Sequence, residues 1–543
     1  MKKKLLIACM LGIVLSLGAC GDAADKEVSK EIVEESDKKK DKESKDADSK
    51  DDKESKAPEG KDDDNKGSVS DATTKQSYRY LNVEFDTVYD SCYEDVSLMY
   101  GNYDAIVLNS KEFPALTAAV DAYNQEHSKE KQDELDEMEE SARDEYKTYG
   151  AESFMGAYVA KSDMLLRRAD NQVLSVVESC YSYYGGAHGN NYYTSINFDT
   201  QTGEQIELES VITDMNSLPK AIATELKDKY PDTGFWSDDL ASLIQEYITP
   251  SSPDLVYSFT WTLDYQGVTF YFSDYELTSY AEGRQEVMLS YTEYPELLNS
   301  TYFENVDNHY VIELPDSWRG MDMDLNNDGV TDYISIQAKY NPEYYENESM
   351  TVTVNDNAYT LDNYFYEMAA YFVKSGDDNY LYVETISESD YHSVSVFKLT
   401  EISVEYMGYF GNGIANFTNS LNFAVNKRLD LLSTFFAMAE CTMGEDGMPV
   451  ETNPIYNVIG EMKLTSTTVI AAQLVDETGA LLDTTYEFPA GTVFTLLATD
   501  GATYVDVMAS DGQRCRFNTN TSWPYTVNGL DAESSFEMLY FAG

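Results

Sequence analysis

The spacing of apolar side chains predicts a strand-rich fold whose helices lie in the first half of the chain. A loose alternation indicates strands over residues 78–88 and 96–108, and Phe113-Pro114 then starts a helix that continues to about Tyr146. Next come a strand region, two helices and two closing strands, over residues 157–184, 218–230, 237–247, 255–265 and 268–272. Because strands and helices are segregated rather than alternating, this part is predicted to be α+β.

Beyond residue 305 the pattern is that of strands separated by polar turns. Strands are predicted over residues 350–354, 380–386, 393–399 and 402–409, whereas residues 366–373 fit either a helix or a strand. Near the end, short strands joined by Asp-Gly turns are typical of a compact barrel. We therefore predict a multidomain chain with an α+β unit at 76–305, a mostly-β module (propeller-like or a sandwich) at 306–440, and a compact β module at 441–543.

The first 75 residues show a different pattern. Residues 1–19 combine a basic start with the apolar run Leu5 to Leu17, which is short for a bilayer span and typical of a signal peptide. Residues 20–75 are nearly all charged or small, and without apolar residues to bury they are predicted to form a disordered tether.

The end of the signal segment, Leu17-Gly18-Ala19-Cys20, resembles the lipobox of bacterial lipoproteins. The resemblance implies cleavage before Cys20, lipidation of that cysteine, and a location on the extracellular face of the cytoplasmic membrane. Two acyl chains make a stable anchor where one does not. The alternative is an ordinary signal peptide with a cysteine near its cleavage site.

Charge is concentrated in the part that is predicted to fold. The formal net charge is −59; the signal segment contributes +3 and the tether −6, so residues 76–543 carry −56. Such a field repels nucleic acid and attracts cationic proteins or metal ions. High acidity also keeps secreted proteins soluble without any cationic partner, and this alternative stays open.

Four cysteines remain after the signal segment and the lipidation site, namely Cys92, Cys180, Cys441 and Cys515. An even number in an extracellular protein permits disulfides, and proximity in the sequence favours Cys92–Cys180 and Cys441–Cys515. The alternative is four reduced, buried thiols. The spacings match no zinc site.

One tyrosine- and glycine-rich stretch stands out between residues 181 and 208. Its Gly185-Gly186-Ala187-His188, the following Asn197-Phe198-Asp199 with Thr202-Gly203, and the segment FYFSDYELTSYAEG at 270–283 resemble one extracellular domain pair. That pair is shared by lysozyme-binding anti-sigma factors and certain Gram-positive peptidoglycan deacetylases. The resemblance covers residues 76–305 and implies binding at the cell wall. The candidate ligand-contacting residues are Tyr183, Tyr184, Gly185, Gly186, His188 and Asn190.

The resemblance does not extend to either activity. A deacetylase needs a metal-binding Asp with a paired His-x-x-x-His, whereas the four histidines here, His127, His188, His309 and His392, are far apart. A lipobox replaces the transmembrane signalling segment of the anti-sigma factors. For His188 itself, a structural turn, a ligand-contacting loop and chemistry are the three alternatives, in that order of preference.

A second motif has a clear chemical meaning. The run DLNNDGVTD at 324–332 matches D-x-N-x-D-G-x-x-D, in which oxygen atoms converge on a hard cation and the glycine makes the turn. The predicted calcium ligands are Asp324, Asn326, Asp328, the carbonyl of Val330, and Asp332. Position 12 is Ser335 and the flanks read as strand, so the loop resembles those of integrin-like propeller repeats rather than an EF-hand. The alternative is a hairpin turn without an ion.

The C-terminal module resembles, more weakly, a bacterial SH3-type barrel, a family that often binds peptidoglycan. Together these features predict a surface lipoprotein that acts as a non-catalytic binding module. Its expected partners are cell-wall glycan or peptide, or a cationic wall-acting protein such as lysozyme, with the membrane reached only through the lipid. The alternative is an extracellular cell-wall hydrolase or esterase that uses carboxylates, which 97 acidic residues do not exclude.

Overall fold

The computed structural model describes residues 81–108, 112–154, 156–249, 259–304, 306–314, 320–388, 391–415 and 417–541, which fall within one compact unit spanning residues 76–543. The predicted signal peptide, the tether and the lipidation site Cys20 lie outside the described residues. Across the described ranges, every helix is too short or too polar to traverse a membrane.

The first sheet has five strands in chain order and is covered by one long helix. Its elements are β1 (Val83–Tyr93), β2 (Ser97–Leu108), α1 (Pro114–Tyr149), β3 (Tyr158–Ala169), β4 (Val173–Tyr183) and β5 (Asn190–Asp199). Because α1 carries the chain back across the sheet, β2 and β3 run parallel, and the other neighbours are antiparallel. Pro114 begins the helix, where a missing N–H costs nothing, and Gly150 ends it with a φ of 72°.

The second layer packs three helices on a short antiparallel sheet. Its elements are α2 (Leu208–Val211), α3 (Leu218–Lys229), α4 (Leu240–Ile248), β6 (Thr260–Leu263), β7 (Gly267–Phe272) and β8 (Gln285–Ser290), with single 3₁₀ turns at Tyr280–Glu282 and Ser300–Tyr302. The helices and the sheet share one apolar core, in which Ile222, Ile244 and Phe270 are fully buried.

The middle of the chain forms two antiparallel sheets with a common core. One sheet contains β10 (Met321–Met323), β11 (Asp332–Asn341), β12 (Glu346–Val354) and β13 (Asn357–Phe365). The other has the order β17-β16-β15-β14-β9 and contains β9 (His309–Glu313), β14 (Glu367–Ser375), β15 (Asp378–Ser387), β16 (Tyr391–Thr400) and β17 (Ser403–Phe410). Ile336 of the first sheet and Leu381 of the second belong to the same buried cluster.

The largest sheet begins at residue 413 and reaches the C-terminal region. Its strands are β18 (Gly413–Ala415), β19 (Phe423–Asp430), β20 (Thr434–Met443), β21 (Pro449–Glu451), β22 (Tyr456–Val458), β23 (Lys463–Thr465), β24 (Ile470–Val475), β25 (Leu481–Phe488), β26 (Val493–Thr499), β27 (Tyr504–Ala509) and β28 (Arg514–Asn518). The hairpin of β29 (Thr526–Val527) and β30 (Leu530–Asp531) and the short helix α5 (Ala532–Ser535) follow. Within the described residues the main strand order, from β18 to β25, does not close on itself. The chain is mostly β-sheet, arranged in several separate sheets, so the prediction of a strand-rich fold is confirmed.

Two adjacent buried arginines connect the first sheet to the elements that follow it. A bulge between Leu166 and Arg168 interrupts the pairing of β3 with β4, so that consecutive side chains leave the strand toward the β6–β8 layer. Arg167 forms an ion pair with Asp264, with Nη2 and Oδ2 2.7 Å apart. Arg168, which is fully buried, donates to the Tyr302 carbonyl at 2.9 Å.

The expected disulfides are not formed, because the cysteines lie on distant strands. All four cysteines are buried thiols. Cys92 is on β1 and Cys180 is on β4, two intervening strands away. At about 4.8 Å between neighbouring strands they are roughly 14 Å apart, whereas a disulfide needs Cα atoms within about 7 Å. Cys441 on β20 and Cys515 on β28 are likewise separated by β22, β26 and β27.

Candidate functional site

The tyrosine- and glycine-rich stretch forms the hairpin that joins β4 to β5. The two strands pair as far as Ser182 and Asn190. Gly185 and Gly186 have φ values of 81° and 108°, in the left-handed region that side chains disfavour. The Tyr183 hydroxyl donates to the Gly186 carbonyl at 3.1 Å, which fixes the turn.

His188 is held in one orientation at the tip of this hairpin. Its Nδ1 lies 2.8 Å from the Gly189 carbonyl, which can only accept, so Nδ1 carries the proton. In the neutral ring Nε2 is then an acceptor, and it accepts from the Tyr275 hydroxyl at 3.1 Å. The Tyr280 ring stacks on the imidazole with 3.9 Å between centroids. Two tyrosines from another part of the chain therefore fix the histidine.

The segment that supplies these tyrosines is itself anchored to β5. The Asp274 carboxylate accepts from the backbone N–H of Asn191 at 3.0 Å and from its side chain at 2.8 Å. Tyr275 has a φ of 68°, which is unusual for a bulky residue and costs conformational energy. Glu276 accepts from the Ser273 N–H at 2.7 Å, and burial raises the pKa of Glu276 to about 7.

An aromatic surface surrounds the fixed histidine. We call it the tyrosine patch, and its members are Tyr100, Tyr181, Tyr183, His188, Tyr275 and Tyr280. Burial, with the nearby hydroxyls of Tyr280, Tyr100 and Tyr183, raises the pKa of Tyr181. A Cβ on Gly189 would lie 2.4 Å from the Tyr181 ring, so only glycine allows this packing. Tyr275 is 49% exposed and Tyr100 is 43% exposed, which leaves their faces open to a ligand.

The predicted ligand-contacting residues separate into three groups. Tyr183, Gly185, Gly186 and His188 form the hairpin and border the tyrosine patch. Tyr184 instead packs edge-on against Tyr158, 5.7 Å between centroids, and burial raises the pKa of Tyr184 to about 12. Asn190 lies in the strand ladder opposite Ser182.

Tyr275 and Tyr280 were not predicted as contacts of the histidine. They lie inside the segment 270–283 that carries the family resemblance, so a signal for them was present. Tyr181 opens the tyrosine-rich stretch but was not among the predicted ligand contacts, and for Tyr100 no sequence signal pointed to the patch. The remaining resemblance residues are structural, since Asn197 donates to the Trp261 carbonyl at 3.0 Å and Asp199 accepts N–H groups of its own turn.

The hydrogen bonds of His188 hold its ring in one orientation. Its two partners are a backbone carbonyl and a phenol, and neither is a carboxylate. The geometry therefore suits recognition of a ligand by aromatic faces, hydroxyls and one imidazole edge.

The predicted calcium loop joins β10 to β11, so strands flank it as expected. Asp324 is buried, and its carboxylate accepts the backbone N–H groups of Asp328 at 3.1 Å and Gly329 at 2.9 Å. Asp332 accepts from the Leu325 N–H at 3.1 Å and from the Asn355 side chain at 2.7 Å. These are contacts of a well-ordered Asx-rich turn.

The Asn326 amide in the same loop donates to Asp328 and to Glu401, which comes from the turn between β16 and β17. The hydrogen bond from the Val330 N–H, together with that from the Asn326 side chain, lowers the pKa of Asp328. Among the residues that the structure describes, no group of three or more histidine, cysteine or acidic side chains is arranged to hold a metal ion. Calcium binding stays a prediction.

Comparison with known proteins finds a limited similarity. Residues 210–292 match a family model described as a protein of unknown function, DUF3298. A crystal structure of a DUF3298 family member from Bacteroides fragilis is 18% identical, with 40% of this chain and 94% of that chain covered and a TM-score of 0.29. A DUF3298 family protein from Pseudomonas aeruginosa is 15% identical, with 41% and 97% covered and a TM-score of 0.28. A search of curated proteins gave no match.

Proposed function

We propose that this chain is a surface lipoprotein, anchored through Cys20 on the extracellular face of the cytoplasmic membrane, that binds cell-wall glycan or peptide through the tyrosine patch. The observation that carries the proposal is the fixed His188, held by Tyr275 and Tyr280 on an exposed aromatic surface. Side chains that are ordered before binding lose little entropy when a ligand arrives, which favours recognition.

The backbone of Tyr275 is held in a left-handed conformation beside His188. A left-handed conformation of a bulky residue costs of order 1–3 kcal/mol and persists only where its surroundings impose it. Here Asp274 and Asn191 impose it, and the result is that the Tyr275 ring is presented to solvent beside His188.

A cationic wall-acting protein such as lysozyme is the second candidate partner, and the charge of the chain favours it. Residues 76–543 carry a formal net charge of −56, which attracts a basic protein over a distance of about one Debye length, roughly 8 Å at physiological ionic strength. Binding that depends on this field alone would disappear at high salt.

We also infer the finer architecture of two modules. The sheet of β10 to β13 and the sheet of β9 and β14 to β17 share one core. This common core supports a sandwich over propeller-like blades for residues 306–440. An SH3-like arrangement of residues 441–543 remains a proposal that rests on the Asp-Gly turns alone.

Tyr275→Ala is expected to weaken binding of the full-length protein to purified peptidoglycan by about 5- to 30-fold, the effect of losing an aromatic hot spot of 1–2 kcal/mol. Sedimentation of the protein with insoluble peptidoglycan measures the change. His188→Ala should act in the same direction, because it removes the partner that orients the Tyr275 hydroxyl.

Tyr345→Ala is the matched control for this experiment. Tyr345 is also exposed and also has a left-handed backbone, with a φ of 59°, but it lies in a turn outside the tyrosine patch. The Tyr345→Ala variant should sediment with peptidoglycan like the unaltered protein. An equal loss of peptidoglycan binding in both variants, or unchanged binding in Tyr275→Ala, would refute the role of the patch. Binding to lysozyme at low salt, lost at high salt and indifferent to Tyr275, would favour the second candidate.

Calcium binding by the loop at 324–332 is proposed as a stabilising feature. Calcium at a hundred times its dissociation constant should raise the free energy of unfolding by about 2.7 kcal/mol, because the ion binds the folded loop and not the unfolded chain. Thermal unfolding with calcium and with a chelator measures the shift, and Asp324→Asn should remove it.

The control for this measurement is Asp476→Asn. Asp476 accepts the backbone N–H groups of Thr478 and Ala480 in a comparable turn that lacks the motif. This variant should keep the calcium response of the unaltered protein. A melting temperature that calcium leaves unchanged would mean that the loop is a turn without an ion.

A further inference from the structure

A pocket lies in the C-terminal half of the chain, far along the sequence from the tyrosine patch. It has a volume of about 470 Å³, within the range of small-molecule sites. It opens between the start of β16, the turn before β18, and the strands β19 and β20. Its lining residues are Tyr391, His392, Gly411, Asn412, Gly413, Asn426, Arg428, Asp430, Phe436 and Ile459.

The floor of the pocket is one face of β19. Asn426, Arg428 and Asp430 alternate along the strand, so their side chains leave it on the same side, at intervals of about 6.6 Å. Phe436 of β20 is paired directly opposite Arg428 and adds an apolar surface. A positive and a negative side chain therefore lie side by side, next to an aromatic ring.

His392 forms part of the pocket wall, and the Glu384 carboxylate orients its ring. His392 Nδ1 lies 2.7 Å from Glu384 Oε1, and Glu384 is 8% exposed. The same carboxylate accepts the Ile414 N–H at 3.3 Å. A Cβ on Gly413 would lie 3.0 Å from Glu384 Oε1 and 3.3 Å from His392 Nδ1, so a larger residue would disturb the pair. The carboxylate fixes the imidazole in place.

We propose that this pocket binds a small zwitterion of the amino acid or dipeptide class. The ligand carboxylate pairs with Arg428, since a guanidinium matches a carboxylate in geometry and charge. The ligand ammonium pairs with the Asp430 carboxylate, which also accepts from the Thr434 hydroxyl, and an apolar side chain contacts Phe436. The net charge of −56 supports a zwitterion over a simple anion, because an anion would be repelled whereas a zwitterion has no net charge.

The test is calorimetric titration of the full-length protein with three matched probes. L-alanyl-L-leucine carries both charges, L-alanyl-L-leucinamide lacks the carboxylate, and N-acetyl-L-alanyl-L-leucine lacks the ammonium. The zwitterion should bind and each of the other two should bind about tenfold or more weakly. Titration of L-leucine under the same conditions distinguishes an amino acid site from a dipeptide site.

Arg428→Gln should weaken binding of L-alanyl-L-leucine by about tenfold or more and leave the already weak binding of the amide unchanged. Arg514→Gln, which removes an arginine of β28 that donates to the Glu477 carbonyl, should change neither. The proposal is overturned if the unaltered protein binds no probe at about 10 mM, or if the amide binds as well as the acid. If Arg428→Gln fails to fold, the affinities of the unaltered protein for the zwitterion, the amide and the N-acetyl probe still decide whether the proposal holds.

Discussion

Arg167→Met is expected to lower the free energy of unfolding by about 3–5 kcal/mol, the usual cost of removing one partner of a buried ion pair. The guanidinium of Arg167 is buried, with one nitrogen 2.7 Å from Asp264 Oδ2 and another donating to the Glu313 carbonyl at 3.4 Å. Methionine keeps most of the volume but leaves the Asp264 carboxylate in the interior without its counter-charge, while the Thr269 hydroxyl still donates to it at 2.7 Å. Urea unfolding followed by circular dichroism measures the loss.

Two further variants make this result specific. Arg167→Met combined with Asp264→Asn should recover a large part of the lost stability, because no unpaired charge then remains buried. Arg143→Met is the matched control, since Arg143 pairs with Glu94 and Glu139 at the surface, and its loss should leave stability unchanged. A double variant as unstable as the single one would contradict the explanation.

The second large effect is expected at Glu178, which lies 2% exposed under α1. Its carboxylate accepts from His127 Nε2 at 2.8 Å, from the Thr194 hydroxyl at 2.6 Å and from Ser162, and Lys131 lies 3.4 Å away. Glu178→Gln should cost about 3–5 kcal/mol, because it leaves the Lys131 ammonium without its buried counter-charge.

The same variant tests a dependence on pH. Burial by itself would raise the pKa of Glu178, but the hydrogen bond from His127 and the charge of Lys131 outweigh it and lower the pKa to about 2. A carboxyl whose pKa is lower in the folded state contributes stability above its unfolded pKa, near 4.5. That contribution is lost as the pH falls from about 4.5 toward 2.

The unaltered protein should therefore lose its advantage over Glu178→Gln across that interval, which chemical unfolding at several pH values would show. Glu348→Gln is the control, since Glu348 makes comparable contacts with Lys339 and Asn341 at the surface. Its stability should follow that of the unaltered protein at each pH. A difference between Glu178→Gln and the unaltered protein that does not change with pH would contradict the assignment.

Local elements were predictable where one short-range signal dominated. The helix expected from Phe113-Pro114 to about Tyr146 is found as Pro114–Tyr149, because proline and the apolar spacing act on neighbouring turns. The strand region 157–184 is divided by a turn at Asp170, whose carboxylate accepts the N–H groups of Gln172 and Val173. The Asp170-Asn171 pair was a turn signal that the apolar run concealed. Of the undecided residues 366–373, all but Tyr366 lie in β14, and Tyr366 is in the bend that precedes it.

The contacts that build the candidate site, in contrast, were not predictable from short-range signals. The glycine turn was visible in the sequence, but its partner Tyr275 is 87 residues from His188, and Asp264 is 97 residues from Arg167. Such pairs depend on how the sheets pack, which periodicity does not encode. The predicted disulfide pairings were wrong for the same reason, since proximity along the chain says little about which strands become neighbours.

The four buried thiols have a practical consequence for experiments on this molecule. Burial raises the pKa of Cys180 and Cys515 to about 12 and that of Cys441 to about 11, so almost no reactive thiolate exists at neutral pH. A cysteine introduced at an exposed position such as Tyr89 would be the fast-reacting thiol of the described residues. Fluorophores or spin labels can then be attached at chosen sites without first removing the four cysteines of the described residues.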